Sequence, residues 1–248
     1  MSSYLLLVCA AFAAGIINSV AGGGSFLTFP ALVFAGVPSI IANASNTVAL
    51  LPGIYASTWA YHQDFQELEN FPFRPMMAAN FAGGAAGALL LLFTPQRTFD
   101  SAIPWLMLTA SVLFAFGPRL GTALKRRVHI GAATLVSLQF LIAVYGGYFG
   151  GAIGIMMLAA WSVYGLSDVR ALSFHRTFSS GIINTVAVVC FIAARKVWWP
   201  QTLAMLVAAM IGGYAGAHTA RRVNSRRLRA VVMVISFVIT AAFFLRHT

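Results

Sequence analysis

Ten apolar runs, bounded by glycine, proline or charge, fill this chain from end to end and leave little sequence for anything else. They are Tyr4–Val20, Ser25–Val37, Ala42–Tyr61, Arg74–Phe93, Ser101–Gly117, Ile130–Phe149, Ala152–Leu166, Ser173–Ala194, Pro200–Thr219 and Leu228–Leu245. Crossing hydrocarbon takes about 20 helical residues, and lipid tolerates no unpaired backbone, so every run is expected to be a helix. Charged residues make up 8% of the chain, against about a quarter in a soluble domain. So much apolar surface cannot be hidden in one water-soluble core of 248 residues. The soluble globular, disordered and disulfide-scaffold classes are excluded. The expected fold is an all-α polytopic integral membrane protein with about 8–10 transmembrane segments.

Sixteen Lys and Arg stand against five Asp and Glu, a formal net charge of +11. The excess is not a nucleic-acid footprint. It gathers in short stretches between apolar runs, at Arg119, Lys125, Arg126 and Arg127 and at Arg221, Arg222, Arg226, Arg227 and Arg229. Cytoplasmic loops of membrane proteins collect such residues. Cys9 and Cys190 lie inside apolar runs and read as small buried hydrophobes. Tyr4–Val20 reads as a retained membrane segment rather than a secretory signal. Ala11-Phe12-Ala13 resembles a cleavage site, but nothing basic precedes it and apolar sequence continues beyond Gly22-Gly23-Gly24.

An internal repeat organises the runs. Gly83-Gly84-Ala85-Ala86-Gly87-Ala88 recurs as Gly212-Gly213-Tyr214-Ala215-Gly216-Ala217, displaced by 129 positions. Arg97 and Arg226, Gly22 and Gly151, and Gly36 and Gly165 keep that displacement; Gly24 with Gly154 and Thr47 with Thr177 slip it to 130. The chain reads as two copies of one five-segment unit, residues 1–118 and 130–248, joined by a basic cytoplasmic linker at 119–129. An odd number of crossings per copy inverts the second copy in the membrane. Placing both basic clusters in the cytoplasm puts both termini outside. It also puts Asp64–Glu69 inside and Arg195-Lys196 outside, against the charge rule.

Two runs, Ser25–Val37 with its Pro30 and Ala152–Leu166, are too short to span, and each follows a glycine cluster. Broken or re-entrant helices are expected there. A helix restarting after a break offers unpaired N–H groups and the positive end of its dipole, which attract an anion. Two such breaks in inverted repeats would meet near the midplane. Asn18 sits one turn before Gly22, Asn43, Asn46 and Thr47 share a helical face, and the second copy offers Ser173, His175, Arg176 and Thr177. A charge near a membrane segment is costly, so Arg176 is either a substrate contact or an end residue snorkelling with Arg170. The small-x-x-x-small pairs Gly83/Gly87 and Gly212/Gly216 read as helix-packing faces. None of Asp64, Glu67, Glu69, Asp100 or Asp168 lies clearly inside an apolar run, and there is no P-loop or His-Glu-x-x-His. A carboxylate-based proton or sodium relay, ATP-driven transport by this chain alone and enzymatic activity are not expected.

The stretch Gly15-Ile16-Ile17-Asn18-Ser19-Val20-Ala21-Gly22-Gly23-Gly24-Ser25-Phe26-Leu27-Thr28-Phe29-Pro30-Ala31-Leu32, with Gly36 and Asn46-Thr47, resembles the TauE/SafE sulfite-exporter family of bacterial membrane proteins. The resemblance spans essentially the whole chain. The second copy departs from the pattern, with a thinned run Gly150-Gly151-Ala152-Ile153-Gly154 and no following proline. It implies transport of small sulfur-containing anions such as sulfite, thiosulfate, sulfonates or sulfoacetate in a bacterial inner membrane. The substrate site is expected at Asn18, Gly22, Gly23, Gly24, Ser25, Asn46, Thr47, Gly150, Gly151, His175, Arg176 and Thr177, with no metal or cofactor. A small anion and the lipid bilayer are the expected partners, a homodimer being left open. Export suits a negative cytoplasm, which drives anions outward by about 2.3 kcal/mol per charge per 100 mV. A passive anion channel or a non-transporting membrane scaffold is the alternative.

Overall fold

A computed structural model describes residues 2–20, 22–66, 68, 71–125, 130–166, 168–219 and 225–247. Among these there is no strand, and each of the ten apolar runs is a helix. They are α1 (Ser2–Val20), α2 (Ser25–Phe34), α3 (Ser39–Ala60), α4 (Phe73–Phe93), α5 (Gln96–Lys125), α6 (Ala132–Tyr148), α7 (Ile153–Tyr164), α8 (Val169–Ala193), α9 (Trp199–Thr219) and α10 (Ser225–His247). Arg126, Arg127, Arg221, Arg222, Glu67 and Glu69 lie outside the described residues.

Glycine sets the ends of the short helices. Gly22 and Gly23 take φ of 70° and 110°, conformations that end α1 and that L side chains rarely adopt. The helix expected to run to Val37 stops at Phe34 because Gly36 turns left-handed, and Gly165 stops α7 in the same way. In the other direction α5 outruns its apolar stretch, reaching from Gln96 to Lys125. Its polar ends need no hydrocarbon around them.

Among the described residues, four helices are long and apolar enough to cross a membrane: Phe73–Phe93, Gln96–Gly117, Ala171–Ala193 and Trp199–Thr219. Side chains such as Phe93, Trp105, Leu141 and Leu245 stand exposed on the outside, as a lipid-facing surface requires. By contrast α3, of 22 residues, buries Asn43, Ser45, Asn46, Thr47 and Ser57. Its polarity is turned inward.

The packing explains which helices carry glycine. Helices α1 and α9 lie side by side and parallel: Gly212 backs onto the Phe12 carbonyl, and Gly216 onto Ile16 and Ser19. Helices α4 and α6 do likewise, Gly83 against Phe140 and Ala143 and Gly87 against Val144 and Tyr148. A Cβ at Gly87 or Gly212 would collide with backbone oxygen, so these faces require glycine. Helix α2 folds back along α1, with Gly24 on Ala14 and Phe26, Phe29 and Leu32 in one core with Leu7, Ala11 and Ala14. Helix α7 folds back along α6, ending with Trp161 Nε1 donating to Gln139 Oε1 at 3.2 Å. Phe26 on Phe114 and Phe29 on Phe149 and Phe243, ring to ring, hold α2 in place. Two helical hairpins thus point their glycine-rich tips into the bundle.

Candidate functional site

A cavity of about 40 Å³ lies where the two tips meet α3 and α8. The first tip contributes Asn18, Gly22, Gly23 and Ser25, and the second contributes Gly150, Ile153 and Gly154. Thr47, Leu50, Ile54 and Ser57 face it from α3, and Arg176, Thr177, Ser180 and Asn184 from α8. The volume holds roughly three water-sized particles, which suits a compact anion of four or five heavy atoms. No carboxylate is among its described lining residues.

Arg176 dominates this space. It is 3% exposed, and its Nη2 donates to the Ser19 carbonyl at 2.8 Å, where Tyr61 Oη also donates at 3.1 Å. Ser19 is in the last turn of α1, where unpaired carbonyls carry the negative end of the dipole, so a guanidinium is favoured there. Its Nη1 lies 3.3 Å from where a Cβ would stand on either Gly22 or Gly154. The guanidinium therefore stands tight against both tips at once.

The tips differ in what their amides do. At the first, Asn18 Oδ1 accepts from Gly23 N at 3.1 Å and Gly24 N at 2.7 Å. A side chain from the preceding helix thus occupies the anion-seeking amides, as an N-cap oxygen would. At the second, Ala152 is left-handed at φ 62°, and α7 starts directly after it. The Ala152 carbonyl accepts from Ile155 N and Met156 N, while no acceptor meets Ile153 N or Gly154 N among the described residues. Gly154 stands directly beside the Arg176 side chain in the cavity wall.

Hydroxyl roles follow from the same accounting. Thr47 Oγ1 donates to Asn43 O at 2.9 Å, and Thr177 Oγ1 to Ser173 O and Phe174 O at 3.0 Å each, so both show the cavity lone pairs rather than protons. Ser57 spends its proton on Gly53 O or Gly213 O. Asn184 Nδ2 donates to Ser180 O at 2.7 Å.

Of the residues expected in the site, Gly24, Asn46, Gly151 and His175 stand elsewhere. Gly24 is a packing glycine on Ala14. Asn46 Oδ1 receives the Thr28 hydroxyl in a buried contact between α3 and α2. Gly151 lies on the Phe149 ring and Ala110. His175 Nε2 meets the Gln66 carbonyl at 2.9 Å inside a box of Phe65, Phe71, Phe73 and Phe174, tying the segment after α3 to α8. The expected members Asn18, Gly22, Gly23, Ser25, Thr47, Gly150, Arg176 and Thr177 do line the cavity. Sequence reading passed over Gly154, Ser57, Ser180 and Asn184 as site residues. The last two had a signal: with Arg176 they recur every fourth residue, one stripe of a helix. No group of three or more His, Cys, Asp or Glu able to hold a metal exists among the described residues.

Comparison with known proteins gives this geometry a context. A family model described as "Sulfite exporter TauE/SafE" matches residues 7–243. A probable membrane transporter protein of Haemophilus influenzae is 28% identical over 239 residues, 95% of this chain and 92% of its own. The probable membrane transporter protein ORF9 of a Sinorhizobium species is 27% identical over 238 residues, covering 94% and 89%. The probable membrane transporter protein YfcA of Escherichia coli K12 is also 27% identical over 238 residues, covering 95% and 87%.

Proposed function

The chain belongs to the sulfite exporter TauE/SafE family and is a multi-pass membrane protein of bacterial inner-membrane type, and from that premise we propose that it is a secondary transporter, an exporter, of small sulfur-containing anions. Sulfite, thiosulfate and short sulfonates are the candidate substrates. The observation that carries the proposal is Arg176, buried beside the open amides of Ile153 and Gly154 in a cavity whose described lining has no carboxylate. A desolvated anion needs such compensation, and hydrogen bonds to charged groups contribute about 1.5–3 kcal/mol each. The binding seat is asymmetric, at the α7 tip, while Asn18 fills the corresponding place at the α2 tip.

The reading includes two inverted five-helix repeats, residues 1–118 and 130–248. Its support is the exchange of partners, with the first helix of each half (α1, α6) packed parallel to the fourth helix of the other (α9, α4). Helices α3 and α10 would join the four long apolar helices as spans, three to each half, leaving α1–α2 and α6–α7 as two re-entrant hairpins. The basic 119–129 linker faces the cytoplasm in this arrangement, with both termini outside.

The test is a thermal-shift screen of the purified full chain against sulfite, thiosulfate, sulfate, methanesulfonate and sulfoacetate, with chloride as control. Stabilisation by a compact sulfur anion, followed by saturable counterflow in proteoliposomes, is the expected result. Flux without trans-acceleration would make the protein a channel. No stabilisation and no flux with any anion would leave a scaffold.

A further inference from the structure

The side chains that α3 and α8 show the cavity are matched in spacing and opposed in polarity. Helix α3 presents Thr47, Leu50 and Ile54, and α8 presents Thr177, Ser180 and Asn184, each 130 positions further along the chain. The bundle brings residues of that displacement face to face. Tyr55 Oη and Thr185 Oγ1, also 130 apart, meet at 2.7 Å where the two helices cross, with Gly181 against the Tyr55 ring. Leu50 and Ile54 on one wall therefore correspond to Ser180 and Asn184 on the other.

On α3 these two positions are branched alkyl groups that offer an oxygen nothing. The polar residues on the same face, Thr47 and Ser57, have given their protons to backbone carbonyls. On α8, Asn184 Nδ2 spends one proton on Ser180 O at 2.7 Å and has a second, and Arg176 lies one turn before Ser180. An anion with oxygen on every side would turn a charged oxygen toward Leu50 and Ile54, where it loses water and gains no donor. An apolar substituent in that place gains by leaving water.

We propose that Leu50 and Ile54 are specificity-determining residues of the transport site: they seat a small apolar substituent of the anion while its oxygens face α8. The site then prefers an oxyanion carrying one alkyl group to one with a polar group in that position. This rests on the anion-transport reading above and narrows its substrate. A cavity of about 40 Å³ limits the substituent to a methyl group or little more.

The test compares methanesulfonate with sulfamate on the purified full chain, by melting-temperature titration and by counterflow in proteoliposomes. The two are monoanions of the same shape at neutral pH, and differ only in carrying CH₃ or NH₂. The wild-type protein should half-saturate with methanesulfonate at a concentration about ten-fold or more below that for sulfamate. Equal affinities, or a preference for sulfamate, would overturn the proposal, and this ratio decides even if a variant is lost. Ile54→Thr offers the NH₂ group an acceptor and should compress the ratio several-fold, whereas Ile54→Val should leave it nearly unchanged. A wild-type ratio in the Thr variant, or equal compression in both variants, would overturn the assignment to an apolar wall. Ser180→Ala should weaken both anions alike; a changed ratio there would place the substituent at α8 instead. If neither anion raises the melting temperature nor is carried, the anion-transport reading itself fails and this one falls with it.

Discussion

Gly154→Ala separates binding from folding more cleanly than any other single change in the cavity. Gly154 lies in the first turn of α7, and its φ is not in the left-handed region, so alanine fits the backbone. Replacing glycine at such a position stabilises by about 0.4–1 kcal/mol through the unfolded chain. The added methyl, however, would stand 3.2 Å from Arg176 Cδ and 3.3 Å from its Nη1, closer than ordinary contact. The side chain must give by a few tenths of an ångström, and the methyl takes part of a cavity of only about 40 Å³. If the anion sits between the guanidinium and the α7 amides, it loses at least one charged hydrogen bond. That is about 1.5–3 kcal/mol, or roughly ten- to one-hundred-fold in affinity. The assay is a melting curve of the purified variant together with an anion titration by the same signal. The expected result is an equal or higher melting temperature without anion and a ten-fold or larger rise in the half-saturating concentration. An unchanged affinity would refute the placement of the anion at α7. A large fall in the anion-free melting temperature would refute the claim that Arg176 has room to yield.

Arg176→Gln should weaken anion binding about ten-fold or more by titration, with Arg176→Lys recovering part of the loss and Arg170→Gln changing it far less. Asn18→Asp should strengthen the cap on Gly23 and Gly24 while bringing a negative charge to the cavity wall; the expected outcome is a stable protein that binds sulfite at least several-fold more weakly, read by melting and titration together. Gly87→Leu should abolish folded yield, because its Cβ meets the Val144 carbonyl; Gly23→Leu should lower yield too, since φ is 110° and the Phe114 ring lies 2.8 Å from the added atom, and size-exclusion profiles of both variants check this. Reporter fusions at Thr248 and within 119–129 should give opposite sides of the membrane, and the same side for both would remove the inverted-repeat reading.

The helices were legible in the sequence because lipid leaves the backbone one way to pair, and every apolar run but the fifth became a helix within a few residues of its expected bounds. The fifth, expected over Ser101–Gly117, extends to Gln96 and Lys125 through polar residues that hydrophobicity does not mark. Other departures were at glycines such as Gly36, where a single left-handed residue ends a helix that hydrophobicity would continue. The site was legible in outline through Gly22, Gly23, Gly150 and Arg176. Periodicity showed that Asn43, Asn46 and Thr47 share a face, but not which neighbour covers each one: Thr28 takes Asn46, and the Tyr148 carbonyl takes Asn43 Nδ2 at 2.9 Å. The role of Asn18 was hidden for a related reason. Its one-turn spacing from Gly22 is visible, whereas the turn that brings the amides of Gly23 and Gly24 to its oxygen exists only in three dimensions. His175 looked like a partner of Arg176 by adjacency, but consecutive helical residues point about 100° apart and reach different surroundings.

The pairing of α1 with α9 sets a schedule for biogenesis. About 180 residues separate the end of α1 from the start of α9, and a ribosome adds roughly 5–20 residues per second. The first helix therefore waits about 10–40 s in the membrane before the glycine face that receives it has been made. During that interval its face at Gly15, Ile16 and Ser19 has only lipid or an insertion factor against it, and α6 must meanwhile find α4 rather than α1. A ribosome stalled after α5 would release a first half able to enter the bilayer but lacking the surface on which its own first helix closes.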